Sequence, residues 1–187
     1  LGHDYRDYYQ REGYELSLSQ KITTDDKFSL KFRDDEYYTL YKNTDWSLFN
    51  REDEKRENLP IDDGRMRSII VSYEFDYRNK KKTTERNFQK IPIPCKDTTN
   101  GWKGAISFEY AKSRLETVLN DEFDFTVFRF DVTRYNRLSQ NQFLDLRLKG
   151  GIADNPLPLQ YKFYLGGIGT LRGYEFQEFA EGDKMLL

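Results

Sequence analysis

Apolar and polar residues alternate strictly after Gly13. Tyr14, Leu16, Leu18 and Ile22 fall on one parity, and Glu15, Ser17, Ser19 and Lys21 on the other. A period of two places successive side chains on opposite faces, so this run predicts a strand with one apolar and one wetted face. Phe28, Leu30 and Phe32 repeat the pattern against Lys27, Ser29, Lys31 and Arg33. The polar residues 23–26 between the two runs predict a hairpin. Further on, Ile69, Val71, Tyr73, Phe75 and Tyr77 oppose Ser68, Ser72, Glu74, Asp76 and Arg78. Trp102, Ile106, Phe108 and Tyr110 oppose Lys103, Ala105, Ser107 and Glu109, and Leu144, Leu146 and Leu148 oppose Asp145, Arg147 and Lys149. The run 123–135 changes parity, from Phe123, Phe125 and Val127 to Phe128, Phe130 and Val132. Such a slip predicts a β-bulge, or a loop reaching into the first residues of the run.

Six strands result, and no amphipathic helix competes with them. Residues 23–26 and 136–141 read as short turns, and the alternation breaks over 37–64, 79–100 and 113–121. Residues 1–10 are polar and Tyr-rich and read as a loop. The charge run 51–57 reads as a solvated loop, and 79–100 as an irregular segment with a lysine triplet and two prolines. Gly150-Gly151 is expected to end the sixth strand.

Composition narrows the architecture. Of the 187 residues, 33% are charged and 16% aromatic, with 14 Tyr and 14 Phe. Soluble cores use more Leu, Val and Ala, and disordered chains use few aromatics. No stretch approaches the roughly 18–20 apolar residues of a membrane-spanning helix. Barrel strands alternate, however, and gather aromatics into interfacial girdles. Tyr8, Tyr9, Tyr14, Tyr37, Tyr38, Trp102, Tyr110, Phe123 and Tyr135 stand near strand ends, as girdle residues would. The fold expected is all-β, a transmembrane antiparallel β-barrel wall. A soluble β-sandwich with exposed aromatics would draw on similar residues; detergent-free solubility would mark it.

Several chemistries find no support. The net charge of −2 and the lack of a basic stripe argue against nucleic acid. His3 is the single histidine, Cys95 the single cysteine, and no nucleophile elbow or phosphate-binding Gly-Lys-Ser/Thr loop is present. No catalytic residue, metal site or cofactor is therefore expected. The acidic clusters 34–36 and 62–63 lack EF-hand spacing and read as solvated loops. Gly167-x-Gly169-x-x-x-Gly173 fits a relaxed dinucleotide pattern, but no βαβ unit surrounds it.

What remains is the stretch 162–176. It carries Gly166, Gly167, Gly169 and Gly173 with a single cation, Arg172, among them. Glycine admits positive φ and close approach, and arginine is a rigid fork that seeks a carboxylate or an aromatic face. The loop therefore reads as one that folds inward and docks. The pattern Phe163-x-x-Gly166-Gly167-x-x-x-Leu171-Arg172-Gly173-Tyr174 resembles the signature loop of the BamA/TamA-like outer-membrane barrel superfamily, the bacterial surface antigen family.

The resemblance implies that the six strands are the sixth to eleventh of sixteen. It also implies a lumen-inserting signature loop over 153–181 within one partial barrel domain, 1–187. Surface loops would lie at 34–64, 113–122 and 153–181, and periplasmic turns at 23–26 and 136–141. The connection 79–100 is longer than the family's short turn at that place. Arg172 would be the anchor, Gly173 its turn and Tyr174 its neighbour, with Gly166 and Gly167 admitting the loop. Glu74, Glu109, Asp131 and Asp145 share the lumen-facing parity and are candidate acidic contacts. Beginning at Leu1 and ending in a fresh apolar run, the chain reads as an excerpt, without the family's strand that holds the arginine.

By the same resemblance, the protein sits in a Gram-negative-type outer membrane, among its lipids. It would assist insertion or translocation of client β-barrel or secreted proteins, with periplasmic or lipoprotein accessory subunits as partners. In the family a seam between the first and last strands opens or thins the bilayer and pairs with a client strand. The alternative is a membrane anchor or export barrel fused to a soluble enzyme, such as a patatin-like phospholipase or a phosphoesterase.

Overall fold

The computed structural model describes residues 8–41, 59–78, 100–113, 123–139, 142–167, 169–174 and 177–187. Six long strands form an antiparallel meander: β1 (Tyr9–Lys21), β2 (Asp26–Thr39), β3 (Gly64–Asp76), β4 (Gly101–Ser113), β5 (Asp124–Arg137) and β6 (Phe143–Ala153). The chain then leaves the sheet through a small hairpin, β7 (Phe163–Leu165) and β8 (Phe179–Gly182). It returns as β9 (Lys184–Leu186), which pairs with β6 as the seventh strand of an open sheet.

Register converts the alternation into two faces. Leu18 pairs with Leu30, Leu30 with Val71, Val71 with Phe108, Phe108 with Phe128 and Phe128 with Ile152, a continuous apolar row across six strands. Among the described residues nothing packs over this outer face: Leu16 and Leu18 are 72% and 71% exposed. A sandwich would cover such a face with a second sheet. Among the described residues no second sheet covers it, and an apolar surface of this extent is what lipid covers on a barrel wall.

The opposite, inner face is polar over most of its length but apolar at the end that carries the connections 40–63, 114–123 and 154–183. There Tyr37, Met66, Ala111, Phe123, Phe125, Val127, Ala153 and Leu157 form the buried core, with Ile61, Tyr161 and Phe163 packed against it. The core lies where the segment after β6 folds back over the wall.

Several strand limits differ from the sequence expectation. β5 contains no bulge: its pairing with β4 runs without a break from Lys112–Asp124 to Gly101–Tyr135. Phe125 and Val127 face inward into the core, Phe128, Phe130 and Val132 face outward, and both sets are apolar because both escape water. β2 continues through residues 34–39, where a solvated loop was expected, because Asp34 is neutralised by Arg65 and Arg67 and Asp35 lies near Arg11. β1 begins at Tyr9, and β6 runs through Gly150 and Gly151 to Ala153. Of the strand-end aromatics, Tyr14, Trp102 and Tyr110 are exposed on the outer face, whereas Tyr37 and Phe123 are buried in the inner core. His3, Cys95, the charge run 51–57 and the connection 79–99 lie outside the described residues.

Candidate functional site

The site is the segment that leaves β6 and returns as β9, together with the wall beneath it. Its neck is closed by two acids. Asp154 accepts the Thr126 amide at 2.6 Å, which holds its carboxyl below the usual carboxylate range. Asp183 accepts the Ala153 amide through its carbonyl at 3.0 Å and the Leu157 amide through its carboxylate at 2.8 Å. Buried Leu157 then enters the core, and a single 3-10 turn, Leu159–Tyr161, follows. Asp62, from the connection between β2 and β3, is exposed as expected and also accepts the Leu159 amide at 2.8 Å, bracing the loop.

Tyr161 is the principal contact with the wall. Its hydroxyl lies 3.0 Å from that of Tyr37, and burial pushes its phenol well above the ordinary range, so it stays neutral. Beneath it, buried Glu109 accepts hydrogen bonds from Arg33 Nη2 at 2.9 Å and Arg129 Nη1 at 3.0 Å. The Arg129 guanidinium also lies 5.8 Å from the Tyr161 ring centroid and 5.6 Å from that of Phe163, within cation–π range. Charge from β2, β4 and β5 and rings from the loop thus form one network. A buried carboxylate is tolerated when it is paired and hydrogen-bonded in this way.

Beyond Tyr161 the loop rises as the β7–β8 hairpin. Lys162 Nζ donates to Glu181 at 2.8 Å, and the Tyr164 hydroxyl donates to the other Glu181 oxygen at 3.1 Å. The tip is tied by Thr170, which receives the Gly166 amide at 2.8 Å and donates to the Gly166 carbonyl at 2.9 Å. Gly166, Gly167 and Gly173 all take positive φ, at 123°, 83° and 94°. Glycine is the residue that adopts such angles without strain. Tyr174 meets Phe179 edge-on at 4.9 Å, and Leu171 is half-buried.

Arg172 is exposed and, among the described residues, makes no hydrogen bond or ion pair. It lines a cavity of about 780 Å³ on the inner face, together with Glu74, Asp131 and Asp145. Asp131 is bound by Arg147, with Nε at 2.7 Å, and Glu74 lies 3.6 Å from Lys27. Asp145 has no such partner among the described residues. The four candidate acids are therefore divided: Glu109 lies under the base of the loop, and the other three share the cavity that Arg172 lines.

A second cavity of about 470 Å³ separates the hairpin from the wall and is lined by Arg129, Lys149, Phe163, Thr170 and Met185 among others. Tyr161, Arg129 and Arg33 were not singled out as site residues from sequence, and Gly151 was read only as the end of a strand. The available signals were two adjacent glycines inside an alternating run, which mark close approach, and arginines on the wetted parity of two strands. No group of His, Cys, Asp and Glu suited to a metal ion occurs among the described residues.

No curated protein and no solved structure matches the chain. A family does: the Omp85 superfamily domain matches residues 7–185, wall and inward-folded loop alike, and the chain belongs to the Omp85 superfamily of outer-membrane protein insertion and translocation barrels.

Proposed function

We propose that this chain is part of the wall of a BamA/TamA-type barrel in a Gram-negative-type outer membrane. It assists insertion or translocation of client β-barrel or secreted proteins, with accessory subunits at the periplasmic side. Its own contribution is structural, a brace from within, and it supplies no catalytic group. The observation that carries this reading is the glycine-rich loop seated on the inner face through Tyr161, Phe163, Arg129 and Glu109. An inward-folded loop gives a wall of many strands a rigid internal support. The same reading assigns the tip: Arg172 meets Asp145 across the cavity they both line.

The test uses cells depleted of the full-length protein and complemented with Arg172→Ala. Reduced heat-modifiable migration of the barrel and reduced client insertion are expected. Unchanged migration and unchanged insertion would sink the reading. Clients that assemble normally without the protein, with loss of a lipid- or phosphoester-hydrolysing activity, would favour an anchor fused to an enzyme.

A further inference from the structure

We infer that the inner face of the wall binds a water molecule beneath the loop, bridging Arg33, Asp35 and Ser68. The inference goes beyond the proposed function and stands on the geometry of the wall. Among the described residues, the buried Arg33 Nε, Asp35 Oδ2 and Ser68 Oγ meet no hydrogen-bond partner. Asp35 and Ser68 are only 3% and 2% exposed, so bulk solvent does not serve them. Arg11 Nε approaches Asp35 Oδ2 to 3.7 Å, too far for a hydrogen bond. Buried polar groups are nearly always satisfied, so each of these atoms calls for a partner.

The register brings the three together. Arg33 on β2 and Ser68 on β3 are direct cross-strand partners, which sets their Cβ atoms about 5 Å apart. Asp35 follows Arg33 by two residues on the same face and pairs with Met66, two residues from Ser68. All three side chains therefore border one spot, among buried Tyr37, Met66 and Ala111. Ser68 and Ala111 are also cross-strand partners, so two short side chains lie side by side next to the longer Arg33 and Met66. A small guest finds its place there.

Chemistry selects the guest. An arginine N–H only donates, a carboxylate only accepts, and a hydroxyl does either. A metal cation would be repelled by the guanidinium and would gain nothing from its N–H. An anion would face the Asp35 carboxylate. Water accepts from Arg33 Nε, donates to Asp35 Oδ2 and shares a further bond with Ser68 Oγ. About three such bonds are what a buried water makes. The bridge also serves the loop seat. Arg33 holds Glu109 through Nη2 at 2.9 Å, and a water on Nε fixes the same guanidinium from the Asp35 side. The water is thus part of the platform under Tyr161.

The experiment is X-ray hydroxyl-radical labelling of the full-length protein in detergent, read by mass spectrometry. Intense X-rays split a bound water in place, so a buried side chain beside it is oxidised without access to bulk solvent. Buried Met66 should label at a rate comparable with that of partly exposed Met185, and Ser68→Val, which fills the spot, should abolish that labelling. A Met66 that resists labelling in the unaltered protein, or that labels equally in a heat-modifiable Ser68→Val barrel, would overturn the site. Ser68→Ala gives a test by sign. A water bonded to Ser68 loses a partner, so the heat-modifiable transition should fall; relief of an orphaned hydroxyl would raise it or leave it unchanged, which would also overturn the site. Should Ser68→Val fail to fold, that sign decides alone. Client insertion enters none of these readouts, so the proposed function stands or falls separately.

Discussion

The ring of Phe163 packs closely against the main chain of Gly151: a Cβ at position 151 would stand 2.6 Å from its Cε1. On the other face of the same strand, a Cβ at Gly150 would stand 2.8 Å from Cζ of Phe130. Two adjacent glycines on β6 thus admit two rings, one from the loop inside and one from the wall outside. Gly151→Ala is expected to push Phe163 off the wall at a cost of about 1–3 kcal/mol, as overpacking does. Denaturant unfolding in detergent measures it. The double variant with Phe163→Ala should be more stable than the sum of the two single effects, because the clash is gone.

Glu109 is the next point of weakness. Glu109→Gln keeps the shape but leaves Arg33 and Arg129 without their shared anion. Breaking such a pair costs about 3–5 kcal/mol when fully buried. The low end applies here, because the Arg129 side chain is 31% exposed. The temperature of the heat-modifiable transition should fall accordingly. Adding Arg33→Met should recover part of the loss by removing an uncompensated charge; no recovery would mean Glu109 acts through something other than its arginines.

The β7–β8 hairpin should respond to pH. The hydrogen bond from Lys162 holds the Glu181 carboxyl below its ordinary range, and the same bond raises the Lys162 amine above its own. Glu181 therefore stabilises the hairpin above the ordinary carboxylate range, and that contribution is lost as pH falls through the lowered value. Lys162 contributes below its ordinary range, and that contribution is lost as pH rises through the raised value. Protection factors at residues 162–165, measured against the intrinsic exchange rate at each pH, should be highest on the neutral plateau and lower in acid. Both side chains keep partial contact with solvent, so the effect is small and shrinks with salt. Lys162→Met should flatten the acid limb.

The proposed meeting of Arg172 with Asp145 has a plain signature. Arg172→Ala and Asp145→Asn should each destabilise the barrel, and the double variant should be little worse than either, with a coupling of about 0.5–3 kcal/mol. Additive effects would mean that Arg172 is held elsewhere.

Much of this was legible along the chain. The strict alternation from Tyr14 to Ile22 and from Leu144 to Leu148 located strands and faces, because a period of two leaves a side chain only two directions. The glycines at 166, 167 and 173 were legible as loop-makers because positive φ is a local, steric demand. The outward clamp of Arg65 and Arg67 on Asp34 was not. Residues 34–36 read as a solvated acidic cluster, since their neutralising partners lie more than twenty positions away in sequence.

Phe125 and Val127 mark the boundary between the two kinds of knowledge. Sequence alone determined that they avoid water, since transfer from water is a property of the side chain itself. It could not say what they meet instead. A side chain facing lipid and one facing an inward-folded loop are equally apolar, so a strand that changes from one to the other looks like a slip of register. Only the tertiary structure decided the matter, by placing Leu157, Tyr161 and Phe163 over the inner face at that level. The outer row from Leu18 to Ile152 was written in the alternation; the inner core was completed by the long-range return of one loop, and the Glu109 network beneath it by charges that three separate strands bring together.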